Sequence, residues 1–323
     1  MITFPDCPVC SQMDWETLSQ RTYRVSEMPD LSEYMARRYR VLFEIWAPGE
    51  SKFTVRSQLC RQCGFIVYTP RPTADELDRK YRFLGELGHD TAALPADAPI
   101  ELARAKEAFR QMTWGVRAGK KRVLDFGGGD GRLIAPLVAR GWDCSLVDYT
   151  PHTIAGVRRL GSTLADLNEA LRFDLIVCSH VLEHLADPLE TVVALRRYLE
   201  DSGTLYVEVP MEIWRRPPLQ EEPVTHVNFF TVDSLRFLLQ RCGYCILRVR
   251  MGSQQHPSGR RATVIRAWAR PSTNLVPPKL DQRAAERTRR LLSPGWSTRI
   301  AMLVARPDRL LSRFRAWKFG SRQ

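Results

Sequence analysis

Apolar and polar residues follow two different patterns along the chain. In the N-terminal part, strict alternation over 52–56 predicts a β-strand. Thr73 and Glu76 stand at the spacing of a capping box, which predicts that a helix begins there. The stretch 89–99 is rich in Ala, Pro and Asp and is typical of a linker, and a helix is expected over 100–113.

From residue 121 onward, short apolar runs alternate with segments of helical spacing. The apolar runs predict strands at 122–126, 144–147, 173–179, 204–209, 245–250 and 263–268, with a further short run at 162–165. The helical segments are 132–140, 153–159, 189–199 and 232–241. This alternation predicts an α/β fold, a mostly parallel sheet with helices on both faces.

Composition limits the class of protein. The chain has 323 residues, of which 44% are hydrophobic and 26% charged, as expected for about two globular domains. No apolar run reaches the ~18–20 residues that a membrane-spanning helix needs. The first ten residues, MITFPDCPVC, lack the basic and apolar regions of an export signal, so we expect a cytoplasmic protein.

The net charge of +12 is concentrated at the C-terminus. From residue 270 to the end there are 13 Arg or Lys and 3 Asp or Glu, a balance of +10, so the other residues carry only +2. A nucleic-acid-binding protein usually spreads basic residues over its folded body. The distribution therefore favours a basic tail on a nearly neutral body.

The most informative motif is a glycine loop between a predicted strand and a predicted helix. Asp125 lies near the end of the strand, and the loop contains Gly127, Gly129 and Gly131, which let the backbone turn tightly and approach a ligand closely. A carboxylate at this position suits a cationic or hydroxyl-bearing ligand better than a pyrophosphate. Asp148 ends the next strand, 19 residues after Gly129, where an acid can bind both ribose hydroxyls. Asp166 ends a third short run and could face an adenine amine.

These residues resemble the class I S-adenosylmethionine-dependent methyltransferases over about 120–270. The segment FDLIVCSHVLEHL at 173–185 also matches that family. The resemblance implies a Rossmann-like sheet of seven strands and S-adenosylmethionine as co-substrate. It implies that the loop glycines and Asp125 bind the co-substrate and that Asp148 binds its ribose. Asp166 and Leu167 would then contact the adenine, and Ser179 and His180 would lie near the methionine end. A dinucleotide site and a cofactor-free Rossmann-like fold are the alternatives.

An insertion at 211–227 precedes the helix predicted at 232–241. It contains the polar residues Glu212, Glu221, Glu222 and His226. In many members of the family the equivalent segment covers the active site and supplies a histidine, so His226 is predicted to be a general base or an acceptor-orienting group. The alternative is an ordinary loop histidine. His180 is a second catalytic candidate, whereas His184 is expected to pack structurally.

Two Cys-x-x-Cys pairs, Cys7 with Cys10 and Cys60 with Cys63, supply four thiolates, enough for a tetrahedral structural zinc site. A reducing compartment favours zinc over disulfides. The 49 residues between the pairs exceed the common zinc-ribbon spacing, and four buried thiols are the alternative. Cys242 and Cys245 repeat the spacing but are not expected to bind metal, because Gly243 predicts a helix end there.

The cysteine unit ahead of a methyltransferase-like domain is similar to the zinc segment of sugar C-methyltransferases that act on nucleotide-linked deoxysugars. Pro70, Arg71, Pro72 and Tyr81 extend the similarity. It implies a small-molecule acceptor, a sugar or an intermediate of glycan or secondary-metabolite biosynthesis. The chain departs from that group because it lacks a long C-terminal α/β domain. Zinc-bearing guanine methyltransferases of ribosomal RNA, and a non-catalytic assembly module, are the alternatives.

The predicted domain organisation has four parts: a zinc-ribbon-like module at 1–72, a helical connector at 73–119, a methyltransferase domain at 120–270 and a basic tail at 271–323. Within the tail, apolar residues at helical spacing predict a basic amphipathic helix, namely Leu310, Leu311, Phe314 and Trp317. Such a helix could hold the protein peripherally on an anionic membrane or pack against protein.

Overall fold

The computed structural model describes residues 6–86, 99–117, 121–213, 217–218, 224–255, 261–273 and 276–293. Within these ranges the strands are β1 (Trp15–Arg24), β2 (Lys52–Cys60), β3 (Ile66–Thr69), β4 (Arg122–Phe126), β5 (Asp143–Val147), β6 (Val157–Gly161), β7 (Phe173–Ser179), β8 (Leu199–Pro210), β9 (Asn228–Phe229), β10 (Tyr244–Gln255) and β11 (Arg261–Pro271). The α-helices are α1 (Glu33–Val41), α2 (Ala74–Glu86), α3 (Pro99–Met112), α4 (Ala135–Val138), α5 (Pro188–Arg196), α6 (Val232–Arg241) and α7 (Ala284–Leu292).

Seven strands form one sheet in the order β10-β11-β8-β7-β4-β5-β6. The five strands from β8 to β6 pair in parallel, and β11 runs antiparallel to both of its neighbours. Alternate residues of each strand are buried in two separate apolar cores, with Leu124 and Ile176 in one and Val123 and Leu175 in the other. Helices cover both faces, so the predicted α/β, Rossmann-like, mostly parallel sheet is confirmed.

The chain changes direction across the sheet at β4. Strand β5 lies on one side of β4 and β7 on the other, so their carboxyl ends meet around a crevice. Ligands of open parallel sheets bind at such a switch point. The glycine loop directly follows β4, Asp148 directly follows β5, and Ser179 is the last residue of β7.

The helix predicted over 153–159 is wrong. Residues Val157–Gly161 form β6, which pairs in parallel with β5, Val157 opposite Cys144. Gly156 has a φ of +83°, which interrupts a helix, and the unpaired edge of β5 supplies backbone partners that outweigh a weak helical spacing. The strand-like run at 162–165 instead enters a short 3-10 turn, Leu164–Asp166. The predicted helix at 132–140 is present in shorter form, as a 3-10 turn followed by α4.

A second sheet of four antiparallel strands has the order β1-β2-β3-β9. The long interval between the two cysteine pairs folds as β1, α1 and β2. Trp15 at the start of β1 lies opposite Cys60 at the end of β2, so the hairpin returns the chain to the first pair. The unusual spacing is therefore compatible with one four-cysteine cluster.

The small sheet is joined to the large one by the segment that follows the insertion. Phe229 in β9 pairs with Ile66 in β3, and the Asn228 amide donates hydrogen bonds to the carbonyls of Leu182 and Leu185, both at 2.7 Å. The boundary predicted at residue 72 remains a prediction. This packing makes the position of the 224–231 segment dependent on both sheets.

Helix α7 lies in the region predicted to be a basic tail and packs on the N-terminal part. The Thr288 hydroxyl donates to the carbonyl of Gly64 at 3.1 Å, and Arg289 pairs with Glu16. The predicted amphipathic helix around Leu310 lies outside the described residues, as do most of the predicted linker, Glu221 and Glu222. None of the helices in the described ranges combines the length and apolarity needed to cross a membrane.

We expect Gly64→Ala to destabilise the protein more than Gly49→Ala. Both glycines have positive φ values, +73° and +83°, so both substitutions strain the backbone by about 1 kcal/mol. Only at Gly64 would the new Cβ also meet α7, at 2.6 Å from the Thr288 hydroxyl and 2.9 Å from a backbone carbonyl oxygen. Thermal unfolding of the two variants measures the difference, and equal melting temperatures would contradict the packing of α7.

Candidate functional site

The glycine loop follows β4 and leaves open space at its centre. Gly129 has a φ of +62° and no atom within 4 Å of the position where a Cβ would stand. Gly127, at +69°, would bring a Cβ within 2.6 Å of Val181. A Cβ on Gly128 would lie 2.2 Å from the Asp125 carboxyl group. The loop therefore covers Asp125 closely and leaves room for a ligand at Gly129.

Asp125 is fully buried beneath this loop, and neither of its carboxyl oxygens has a hydrogen-bond partner among the described residues. Burial, and then the charge of Asp148, raise its pKa to about 7, although Arg104 acts in the opposite direction. An unsatisfied buried carboxyl group is costly unless a donor or a cation reaches it. S-adenosylmethionine carries an ammonium group and a sulfonium, so the residues present fit this ligand.

Asp148 lies beside the loop at the end of β5. Its Oδ2 accepts the backbone N–H of Gly129 at 2.9 Å, and its Oδ1 accepts that of Thr150 at 2.8 Å. Each carboxylate oxygen has a second lone pair, so the side chain is held in place and can still accept hydroxyl donors. Tyr149 next to it stacks on Tyr81 of α2, with ring centroids 6.3 Å apart. The stacking was not predicted, because it depends on how α2 packs.

Asp166 and Leu167 occupy the turn after β6. The Asp166 carboxylate accepts the backbone N–H groups of Ser162 and Thr163 at 2.8 and 2.9 Å, and these bonds lower its pKa. Asp166 is exposed, whereas Leu167 is buried in the larger core. Asp166 therefore caps its own turn, and contact of both residues with an adenine ring remains a prediction.

His180 follows β7 with a φ of +58°, which is unusual for a residue other than glycine and is found at functional sites. Its Nδ1 lies 3.2 Å from Glu183, and its Nε2 lies 2.5 Å from the Gln254 amide nitrogen. Burial alone would lower its pKa. The close contact with Glu183, together with the charges of Glu183 and Glu208, outweighs burial and raises the pKa of His180 above its usual value.

A buried ion pair lies behind Ser179 and His180. Glu208 at the end of β8 accepts the Ser179 hydroxyl at 3.2 Å, the Tyr206 hydroxyl at 2.9 Å and the Arg266 guanidinium at 2.5 Å. Neither Glu208 nor Arg266 was predicted from the sequence. A charged residue inside an otherwise apolar strand was the available signal, since such a charge must be paired.

The structure brings His226 next to Glu183 and His184, although His226 is far from both in sequence. The backbone N–H of Val227 donates to the carbonyl of Glu183 at 2.9 Å, and the two imidazole rings meet edge-on, 4.7 Å between centroids. His226 Nδ1 lies 2.8 Å from Glu212 Oε2. Burial is the main reason why the pKa of His184 falls to about 4. The His184 side chain is partly buried and contacts the catalytic candidate His226, and its purely structural role remains a prediction.

The four predicted metal ligands form a single cluster. Cys7 and Cys63 have their sulfurs 3.6 Å apart, Cys10 and Cys60 have theirs 3.5 Å apart, and all four lie within 4.8 Å of one another. Tetrahedral zinc with Zn–S bonds of ~2.3 Å needs sulfurs about 3.8 Å apart, so the donors fit zinc. All eight cysteines are described and none forms a disulfide. Burial raises the pKa of the Cys7 thiol, which a bound cation would reverse.

The comparisons with known proteins concern the central part of the chain. The sequence model of the family described as "Methyltransferase domain" matches residues 96–249, slightly less than half of the chain. A ubiquinone biosynthesis O-methyltransferase of Rickettsia conorii is 23% identical over 145 residues, covering 40% of this chain and 50% of the relative. One of Pseudomonas syringae pv. tomato is 32% identical over 102 residues, covering 28% and 44%. The chain thus spans half or less of these relatives.

Two solved structures show similar folds at low identity. The glycopeptide N-methyltransferase MtfA, complexed with S-adenosylmethionine, has a TM-score of 0.40 at 17% identity, covering 52% of this chain and 87% of that one. The [4+2]-cyclase SpnF has a TM-score of 0.47 at 15% identity, covering 62% and 97%. The segment that matches the methyltransferase family model, 96–249, contains the glycine loop, Asp148 and His180.

Proposed function

We propose that the protein is an S-adenosylmethionine-dependent methyltransferase that acts on a small-molecule acceptor. The observation that carries this proposal is the buried, unsatisfied carboxyl group of Asp125 beneath the open glycine loop. Asp148 stands beside the same loop at the end of the neighbouring strand. The match of 96–249 to methyltransferase domains supports the same conclusion.

In this proposal the loop glycines, Gly127, Gly129 and Gly131, give the co-substrate access to the backbone. Asp125 faces its positive groups, and Asp148 accepts the ribose hydroxyls. Asp166 and Leu167 border the adenine, and Ser179 supports the methionine end through its bond to Glu208.

When bound, the co-substrate supplies a methyl group on a sulfonium, which a nucleophile takes by in-line displacement. His226, held by Glu212, and His180, held by Glu183, are the groups we assign to the acceptor. They orient the acceptor or take its proton, because imidazoles titrate near neutral pH. Alignment of the acceptor and exclusion of water supply the remaining acceleration.

The proposal also specifies the class of acceptor, the role of the four cysteines and the role of the basic tail. The cysteine unit favours a sugar or an intermediate of glycan or secondary-metabolite biosynthesis, and the four cysteines hold a structural zinc ion. We place the protein in the cytoplasm, with the basic tail as a contact for an anionic membrane or a protein. The nearly neutral body disfavours nucleic acid.

The proposal is tested by calorimetric titration of the purified protein with S-adenosylhomocysteine. We expect micromolar binding by the wild type and a loss of about 10–100-fold in Asp148→Ala, because two charge-assisted hydrogen bonds to the ribose are removed. Asp143→Ala is the matched control, since Asp143 is an exposed carboxylate at the opposite end of the same strand. It should bind like the wild type.

Two results would contradict the proposal. Absence of binding by folded wild-type protein would favour a non-catalytic assembly module. Equal affinity of Asp148→Ala and Asp143→Ala would place the ligand away from β5. If binding is confirmed, an assay of S-adenosylhomocysteine production with nucleotide-linked sugars, phenolic acceptors and RNA identifies the acceptor class.

A further inference from the structure

One further set of potential metal ligands occurs in the described ranges besides the four cysteines. Glu183, His184 and His226 have their ligand atoms all within 4.8 Å of one another. Glu183 and His184 lie in the short turn after β7, and His226 comes from the end of the insertion. The hydrogen bond from Val227 to Glu183 fixes the two segments against each other.

Both imidazoles are held at Nδ1. His184 Nδ1 lies 2.7 Å from the carbonyl oxygen of Thr225, so a neutral ring must carry its proton there and its lone pair on Nε2. His226 Nδ1 lies 2.8 Å from the Glu212 carboxylate, which imposes the same tautomer. A carboxylate or carbonyl that accepts from the second ring nitrogen is the arrangement that accompanies metal-binding histidines.

The buried carboxylate of Glu183 lies beside the imidazoles of His180 and His184. Its side chain is fully buried, and neither oxygen has a partner with hydrogen-bond geometry among the described residues, although His180 Nδ1 lies 3.2 Å away. His184 Nε2 lies 3.9 Å from Glu183 Oε1. An anion buried in this way is costly unless a proton donor or a metal ion compensates it.

We propose that Glu183, His184 and His226 bind one divalent transition-metal ion, with Glu212 and the Thr225 carbonyl orienting the two imidazoles. Two nitrogens and one carboxylate oxygen suit zinc, iron(II), cobalt or manganese and leave coordination positions open. The donor atoms are more widely spaced than in a bound site, so they close by about 1 Å when the ion enters.

The ion would act on the acceptor of the methyl group, and this part of the inference rests on the proposed function. Bound at its open positions, an acceptor hydroxyl would lose its proton more easily, because a divalent ion stabilises the oxyanion. The site therefore selects small molecules that present one hydroxyl, or two adjacent hydroxyls, to the ion. His226 then orients the acceptor as a metal ligand.

The test uses the full-length protein with its cysteine cluster loaded with zinc. It is titrated with Mn²⁺, and binding is monitored by the loss of the free-ion electron paramagnetic resonance signal. In a separate titration with Co²⁺, binding is monitored by visible absorption. Manganese discriminates against thiolate sites because it prefers oxygen and nitrogen ligands. We expect one ion per chain, at least tenfold weaker binding in His226→Ala and Glu183→Gln, and about tenfold weaker binding in Glu212→Gln.

His152→Ala is the matched control, because His152 is exposed and outside the cluster. It should bind both ions like the wild type. Titration of each variant with S-adenosylhomocysteine shows that the fold and the co-substrate site are intact. A wild type that binds S-adenosylhomocysteine but neither Mn²⁺ nor Co²⁺ would overturn the metal site and leave the proposed function standing. Equal loss of metal binding in His152→Ala would also overturn it.

Discussion

Removal of the zinc ion proposed at the four cysteines should lower the melting temperature by about 10 °C or more. The small sheet is short, and the buried thiols of Cys7 and Cys63 would repel one another as thiolates without a cation. Binding free energies of structural zinc, on the order of 10 kcal/mol, contribute directly to folding. Metal analysis of the purified protein, followed by calorimetry with and without a strong chelator, measures the effect.

Cys60→Ser should reproduce the effect of chelation, because Cys60 ends β2 and is completely buried in the cluster. Cys245→Ser is the control, since Cys245 is an exposed thiol in β10 and should not change the melting temperature. Protein that contains no zinc and melts as high as the zinc-loaded form would show that the four residues are simply buried thiols.

Removal of the proposed zinc ion should also disturb the edge of the large sheet that carries the proposed active site. Strand β9 pairs with β3 of the small sheet, and Asn228 in β9 holds the turn that carries Glu183. We therefore expect disorder in the small sheet to displace His226 more than the glycine loop. If zinc binds there, the four-cysteine cluster would support the proposed acceptor side through this shared strand.

The glycine loop and its acids were predictable from sequence because their geometry is local. The motif combines a strand, a strand-end carboxylate and a tight turn at consecutive positions. Because β4 and β5 are parallel neighbours, their carboxyl ends bring Asp125 and Asp148 to the same edge of the sheet. Prediction failed where a long-range backbone partner decided the structure. Val157 became part of β6 because the edge of β5 was available to it.

The cluster of Glu183, His184 and His226 could not be derived from spacing alone. More than 40 residues separate its two halves, and they meet because β9 pairs with the N-terminal sheet. The sequence identified His226 as a candidate through its place in the insertion, but it gave no reason to join it to His184. Glu208 and Arg266 illustrate the same limit, since their ion pair depends on the register between β8 and β11.

Asp125→Asn should stabilise the ligand-free protein at pH 8 while weakening the binding of S-adenosylhomocysteine at least tenfold. The pKa of this carboxyl group rises from an unfolded value of about 3.8 to about 7 in the folded protein, chiefly because it is buried. Between these two values the folded state binds more protons than the unfolded state, so stability falls as pH rises from about 4 to about 7. An amide carries no charge and removes this penalty.

The free energy of unfolding of Asp125→Asn should exceed that of the wild type at pH 8 by about 1–2 kcal/mol, or roughly 2–8 °C in melting temperature. This difference should vanish near pH 4. Asp130→Asn, in the same loop, is the control, and its effect on stability should have the opposite sign. The hydrogen bond from Arg132 lowers the pKa of Asp130, so its loss should destabilise the protein at pH 8 and less so in acid. An Asp125→Asn variant that melts no higher than the wild type at pH 8, yet binds the ligand normally, would show that Asp125 is a satisfied structural carboxylate. The expected opposite changes in stability and affinity would show that the loop retains a destabilising buried acid because the co-substrate requires it.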